Sequence, residues 1–396
     1  MKVGIYCDSS INGGHEEMLK RFVLALVSSA QIDILYVFVP EDNAALSSFV
    51  DDIALLHPKV QTIPLAFTAE SIRGDLLGLL RATRCTAKTL KMLRLTRLLI
   101  AQGTIVSGLA GLLAARLSRT TAISYLPLIE DRPQGSRFID RIRWLVKRSV
   151  YHVPDEFITL NEHLRGKLAR LAPNTRTTIL ENYVDDRFAQ PTLSKSAARA
   201  NLGLPDNGTT IIAHIGRIAF RQKRQDFLLE CIERDPEAFE RAIVLIIGDG
   251  PDAGRLAAMV ESSPRLSACV RVLGSKPDVL PYIVASDTLV LPSALEGVPL
   301  VMIEAVLAQR PIVASCICGL DAYLPATLLF PAGDHDAFVQ RIFTAPHIDM
   351  RPRTAEFLHR FSRDSFEAQA RRSMTGALPS RDALDAASMP RSSDIP

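Results

Sequence analysis

The sequence predicts an α/β protein built from two doubly wound domains, each a parallel sheet flanked by helices. Three observations carry that expectation. Short apolar runs of strand length alternate with helical patterns along most of the chain, the order that βαβ units produce. The length of 396 residues exceeds what one ordinary core fills. The composition, 47% hydrophobic with 22% charged and 6% aromatic residues, supplies apolar area for two cores and fits neither a fibrous nor a disordered chain. A net charge of +3 does not by itself call for nucleic acid. No aromatic-interleaved basic stripe or zinc-finger spacing adds to it, so nucleic acid is not expected as a partner.

Residues 3–7 read as the first strand, because only five residues separate Lys2 from Asp8, too few for the apolar core of a secretion signal. Gly13 and Gly14, followed by His15 and Glu16, then open a helix; the pair serves either a close backbone approach to a ligand or simply a turn. Strands and helices alternate onward to about Val184. Residues 98–115 carry no charge and approach the ~18 residues of a spanning helix. Gln102, Gly103, Thr104, Ser107, Gly108 and Gly111 interrupt them, and a short strand at 104–107 with a helix at 109–117 is expected instead.

A polar segment, 189–194, leads to a second series with strands expected at 209–215, 242–247, 270–273, 288–291, 312–314 and 328–330. One helical stretch covers 354–374, and 375–396, rich in Ser, Ala, Asp and Pro, reads as disordered. The expected organisation is therefore 1–188, 189–353, the helix at 354–374 and the tail at 375–396. The six cysteines show no disulfide-scaffold spacing, which favours reduced thiols and a cytoplasmic chain. Cys316 and Cys318 have no further Cys or His near them in sequence to complete a metal site.

The chemistry is read where strands end. The run at 288–291 is followed by a loop carrying Glu296 and Gly297, and a helix is expected to start near Pro299, whose fixed φ suits the first helical position. Uncapped amides of Val298, Leu300 and Val301 would then face outward with the positive end of the helix dipole behind them, a site for phosphate or diphosphate. Glu304, one turn deeper, could accept hydrogen bonds from sugar hydroxyls. The bland reading is ordinary helix-boundary chemistry. Upstream, the strand at 209–215 ends in Gly216-Arg217 with Lys223 shortly after, so two cations flank the carboxyl end of a second strand, where open parallel sheets bind ligands.

These residues resemble the retaining glycosyltransferases of family 4, which have the GT-B fold of two Rossmann-like domains facing across a cleft. Glu296 and Glu304 match that family's Glu-x7-Glu pair, and Gly216-Arg217 with Lys223 matches its diphosphate clamp. Similar too are Gly248-Asp249-Gly250-Pro251, Val272-Leu273-Gly274, the segment 330–334, the Gly13-Gly14 loop, and Glu181-Asn182-Tyr183-Val184 ahead of the linker. The likeness is strong over 209–334 and loose over 41–118. It implies that Arg217 and Lys223 hold the donor's diphosphate, Glu296 a hydroxyl of the donor sugar and Glu304 the ribose. Ser275 and Lys276 then lie where backbone atoms read the nucleobase, UDP or GDP being expected. No cofactor and no metal are implied, and no Asp-x-Asp pair of the metal-dependent kind is expected. The last helix is implied to cross back onto the first domain.

The expectation is a retaining hexosyltransferase moving a sugar from a nucleotide-sugar to a saccharide or lipid-linked acceptor, as in surface polysaccharide synthesis. Alternatives are a nucleotide-sugar epimerase of the same fold and a catalytically silent nucleotide-binding or scaffolding protein. An NAD-dependent dehydrogenase is disfavoured, because no Gly-x-Gly-x-x-Gly follows the first strand. The chain departs from many relatives after the strand at 122–125, where they carry a His and this sequence has none; Glu130 or Asp131 are the nearby candidates. Two basic sets, Arg81, Arg84, Lys88, Lys91, Arg94 and Arg97, then Arg132, Arg137, Arg141, Arg143, Lys147 and Arg148, either line solvated helix faces or dock on an anionic membrane surface.

Overall fold

The computed structural model describes residues 1–10, 14–130 and 138–376. Gly13, Asp131, Arg132 and Arg137, and the tail from 377 onward, lie outside them, as do the side chains of Arg141 and Arg143. Two wholly parallel sheets form the scaffold.

The first holds β1 (Lys2–Tyr6), β2 (Ile34–Pro40), β3 (Val60–Leu65), β4 (Arg97–Ala101), β5 (Thr121–Tyr125), β6 (Glu156–Thr159) and β7 (Arg176–Ile179) in the order β3-β2-β1-β4-β5-β6-β7. Its helices are α1 (Gly14–Val27), α2 (Ala44–Leu56), α3 (Leu76–Leu93), α4 (Leu109–Ser118), α5 (Phe138–Val150) and α6 (Glu162–Leu171). The inner strands are apolar runs buried on both faces, as parallel strands covered by helices must be, while the edge strands β3 and β7 are only partly buried. Helix starts follow local chemistry: Asn43 and Asn161 each accept a hydrogen bond from a first-turn amide, at 3.1 and 2.8 Å.

The second sheet contains β8 (Thr210–Ile215), β9 (Ala242–Ile247), β10 (Val270–Gly274), β11 (Thr288–Leu291), β12 (Ile312–Ser315) and β13 (Leu329–Phe330), ordered β10-β9-β8-β11-β12-β13. Around it lie α7 (Lys195–Asn201), α8 (Phe220–Lys223), α9 (Gln225–Arg234), α10 (Ala253–Ser262), α11 (Pro264–Cys269), α12 (Leu280–Ala285), α13 (Leu300–Leu307) and α14 (His335–Thr344), followed by α15 (Arg351–Arg360) and α16 (Arg363–Thr375). Strand order reverses between β1 and β4 in one sheet and between β8 and β11 in the other. A crevice opens at such a point because the loops on either side leave in opposite directions.

Three expectations need correction. The strand placed at 104–107 is a turn; the strand is β4, because Leu98, Leu99 and Ile100 form the apolar run that fits between β1 and β5. The stretch 98–115 is thus strand, turn and helix, and no helix among the described residues is long and apolar enough to cross a membrane. The single helix expected over 354–374 is two, since Ser362 leaves the helical conformation and caps α16 through the Ser365 amide. α16 returns to the first sheet: Phe366 packs on Phe22 at 5.3 Å between centroids, and Arg371 donates to the Ala25 carbonyl at 2.9 Å. Finally, Pro299 is the residue before α13 rather than its first, with ψ of 129°.

The segment between the sheets is pinned from both sides. Asn182 accepts from the Tyr125 hydroxyl at 3.2 Å and donates to the Val298 carbonyl at 2.8 Å, so one buried amide ties β5 to the loop before α13. Glu181 holds Arg360 and the Tyr323 hydroxyl.

Candidate functional site

The loops after β8 and β11, the two strands at the reversal, bring together the residues singled out in the second domain. After Ile215 the chain passes Gly216, whose carbonyl oxygen would lie 1.9 Å from any Cβ at Gly248. Only glycine at 248, with φ of 146°, lets these strand exits pack so closely. The buried Gln225 then accepts from the Ala219 amide and donates to the Arg217 carbonyl at 2.9 Å, while Asp252 accepts from the Phe220 amide at 2.8 Å. The 216–225 turn is therefore rigid, and Lys223 leaves it at a fixed angle.

Lys223 Nζ meets Glu296 Oε1 at 2.5 Å, and the Ser293 hydroxyl donates to the same oxygen at 2.6 Å. Both charged side chains are nearly buried, 14% and 5% exposed. A pair so enclosed holds its geometry, and removing one member strands the other. Gln222 stitches the same turn to the 293–297 loop, its carbonyl accepting from the Ala294 amide at 2.8 Å. Arg217 is exposed on the loop above and forms no ion pair among the described residues. Beneath Lys223 lies His214, fully buried, with neither ring nitrogen hydrogen-bonded. Burial, then the Lys223 charge, push its pKa down to about 4, so it stays neutral.

Gly297 sits where the first domain reaches over: a Cβ there would come within 2.5 Å of the Pro127 carbonyl oxygen. Val298 and Pro299 are buried behind it, and Leu300 and Val301 begin α13, whose first amides have no partner within the helix. Glu304 follows in the second turn. Burial raises its pKa to about 7, opposed by the charges of Arg21 and Arg187, with Glu17 and Asp278 adding to the rise. Those influences locate Glu304: Arg21 and Glu17 belong to α1 of the first domain, and Asp278 follows β10. Asp278 pairs with Arg187 at 3.2 Å. Ser275 and Lys276, exposed and half-buried, occupy the same loop beyond Gly274. Gly14 opens α1 on the opposite side.

Sequence reasoning missed Arg21 and Ser293. Arg21 donates to the Tyr183 carbonyl and stacks 4.9 Å over the Tyr183 ring, which places a cation from the first domain beside Glu304. Its signal was present: Arg21 is two helical turns after Gly14, hence on the same face of α1. Glu130, considered as a stand-in for the absent His, is held by Lys147 of α5. The expectation of no Asp-x-Asp was wrong in the letter, since Asp334-His335-Asp336 spells one. Asp334 caps α14 through the Ala337 amide, however, and Asp336 pairs with Arg234 at 3.6 Å. No cluster of metal-binding side chains occurs among the described residues, and none of the six cysteines is in a disulfide.

Residues 209–345 match the family described as "Glycosyl transferases group 1". A stretch of 137 residues is 38% identical to D-inositol 3-phosphate glycosyltransferase of Rhodococcus jostii, covering 32% of this chain and 29% of that protein. A longer stretch is 27% identical to 2-deoxystreptamine N-acetyl-D-glucosaminyltransferase of Streptomyces fradiae, covering 59% and 58%. The chain thus matches less than two thirds of the length of these curated relatives. Among solved structures, HepE of Anabaena in complex with UDP-glucose superposes with a TM-score of 0.74 at 17% identity, over 95% of this chain and all of that one. The molecule has the two-domain GT-B fold, and the family likeness falls on its second sheet.

Proposed function

We propose that the protein is a retaining, metal-independent glycosyltransferase that moves a sugar from a nucleoside diphosphate sugar to a saccharide or lipid-linked saccharide, in surface polysaccharide or glycoconjugate synthesis. The observation that carries this reading is the buried Lys223–Glu296 pair at the β8/β11 reversal, beside the free amides of α13. A diphosphate entering here takes Lys223 from Glu296, with Arg217 and the amides of Leu300 and Val301 as further donors. Glu296, released on one side and still bonded to Ser293, then accepts a hydroxyl of the donor sugar. Glu304 takes the ribose hydroxyls.

The chemistry follows from charge. As the bond from the anomeric carbon to the diphosphate oxygen breaks, negative charge grows on the phosphate, and cations and dipoles already in place lower the barrier. The acceptor hydroxyl forms the new bond on the face the diphosphate leaves, and its proton passes to the departing phosphate oxygen. UDP is the favoured carrier, because the structural relative above holds UDP-glucose. By name, the two sequence relatives act on cyclitols, yet the family match stops short of the first domain, where acceptor choice resides. The proposed boundaries of that domain are 1–188, with the donor domain at 189–353.

Calorimetric titration with UDP, GDP, ADP and their sugar conjugates tests the reading. Selective binding of one nucleotide, abolished in Arg217→Ala/Lys223→Ala, supports it. A folded protein that binds none of them would instead be the silent scaffold.

A further inference from the structure

Exposed apolar side chains are not scattered over this molecule. Of the twelve large ones exposed among the described residues, eight lie on α3, α4 and α5. Leu76, Leu77, Leu80 and Met92 are on α3, exposed by 69, 66, 40 and 72%; Leu117 ends α4; Ile142, Leu145 and Val146 are on α5. These three helices share one face of the first sheet. α3 packs along α4, and α5, which joins β5 to β6 in the same sense as α4 joins β4 to β5, belongs on the same face by the right-handed crossover rule.

Charge on this face is one-sided. α3 and α4 contain no acidic residue, and α5 contains only Asp140. Along α3, Leu77, Arg81, Arg84, Lys88 and Lys91 recur at helical spacing and are all exposed, while Ala82, Thr83, Thr86, Ala87 and Leu90 form the buried stripe. Arg148 extends the positive field over α5, and Arg116 of α4 adds to it although Asp155 lies 3.9 Å away. Two of the basic residues read from sequence are excluded: Arg97 is bound to Glu156 and the Ser373 carbonyl, and Lys147 is turned inward to Glu130.

We infer that the α3–α4–α5 face is a docking surface for an anionic lipid membrane. Exposed leucines flanked by Lys and Arg with almost no acid fit that partner on both counts, since apolar side chains enter the headgroup boundary and cations meet lipid phosphates. Orientation adds to the fit. Helices that follow strands begin at the sheet's carboxyl edge, so Leu76, Leu77 and Leu80 stand at the edge that faces the cleft. A lipid-borne acceptor would therefore be delivered beside the donor. The surface itself does not depend on the transferase reading, because none of its residues belongs to the donor site.

The test is sedimentation of the full chain with phosphatidylcholine vesicles, with and without phosphatidylglycerol, at low and high salt. Binding is expected only with phosphatidylglycerol and is weakened by salt. Each cation near the surface is worth about five-fold in partitioning, so Arg81→Ala/Arg84→Ala/Lys88→Ala should lose about a hundred-fold. Leu77→Ser/Leu80→Ser should also release the protein. A parent chain left in the supernatant, or a triple variant that sediments like the parent, overturns the inference. So does a concentration-dependent dimer in sedimentation velocity that Leu77→Ser/Leu80→Ser abolishes without any vesicle binding, which would give the face to a second copy. UDP calorimetry on the same samples reports the donor site separately, so either reading can fail alone.

Discussion

The two rims of the cleft are built on opposite principles. On the second domain the side chains are already locked to one another: Lys223 to Glu296, Ser293 to Glu296, Gln225 to the Arg217 backbone. On the first domain the rim facing that pair is largely backbone and borrowed charge: the Pro127 carbonyl against Gly297, and Arg21 reaching past Tyr183 toward Glu304. A rim of paired side chains recognises a fixed chemical group and needs its residues at set spacings. A rim of backbone and a single cation leaves the rest of its surface free to vary with a second substrate.

The sharpest way to break that contrast is Lys223→Ala. From sequence alone this change is expected to cost ~1.5–3 kcal/mol of diphosphate interaction and to leave folding untouched. The structure revises the second half, because Glu296 would be left charged and 5% exposed. A loss of about 3–5 kcal/mol in urea unfolding is now expected. Glu296→Gln should recover part of that stability in the double variant while transfer stays absent. If Lys223→Ala unfolds within about 1 kcal/mol of the parent, the pair is not the lock described.

Gly297→Ala probes the contact between the rims. Its Cβ would stand 2.5 Å from the Pro127 carbonyl oxygen and 2.9 Å from Leu160, so the domains must part or the loop must shift. Overpacking of this kind costs about 1–3 kcal/mol. Transfer should fall more than nucleotide affinity, because the groups proposed to bind the donor remain on one domain. Equal losses in both would place the damage in the donor loop rather than between the domains.

What was legible in the sequence divides along the same line. That Lys223 and Glu296 lie close together follows from their short spacing after β8 and β11, the two strands at the order reversal. Arg21 binds a carbonyl 162 residues away and places its charge beside Glu304 of α13, and spacing says nothing of either. The strand misplaced at 104–107 failed for another reason: an uncharged run offers several registers, and packing of β4 between β1 and β5 selects one. The break at Phe361 and Ser362 was hidden because both halves carry helical periodicity, and only the return of α16 to α1 demands the turn.

Smallest in effect, and most specific, is Arg21→Met. Burial holds the Glu304 carboxyl at about pH 7, with Arg21 the leading opposing charge and Arg187, Glu17 and Asp278 the other charged groups around it. Removing Arg21 should raise that pKa further. Two signs follow. A carboxyl raised above its unfolded value binds more protons in the native state, so its contribution to stability falls as pH rises from about 4.5 to about 7. The ribose contact proposed for Glu304 runs the other way, since the ionised carboxylate is the better acceptor, and nucleotide affinity should rise with pH through about 7. In Arg21→Met that rise should move upward by about one pH unit, equivalent to about 1.4 kcal/mol, with UDP affinity recovered at high pH. The control is Glu304→Gln, which should flatten the profile in both backgrounds. His214, pushed down to about 4, stays neutral across this range and does not mask the effect. A profile that Arg21→Met leaves unmoved would detach α1 from the donor and return Glu304 to the second domain alone.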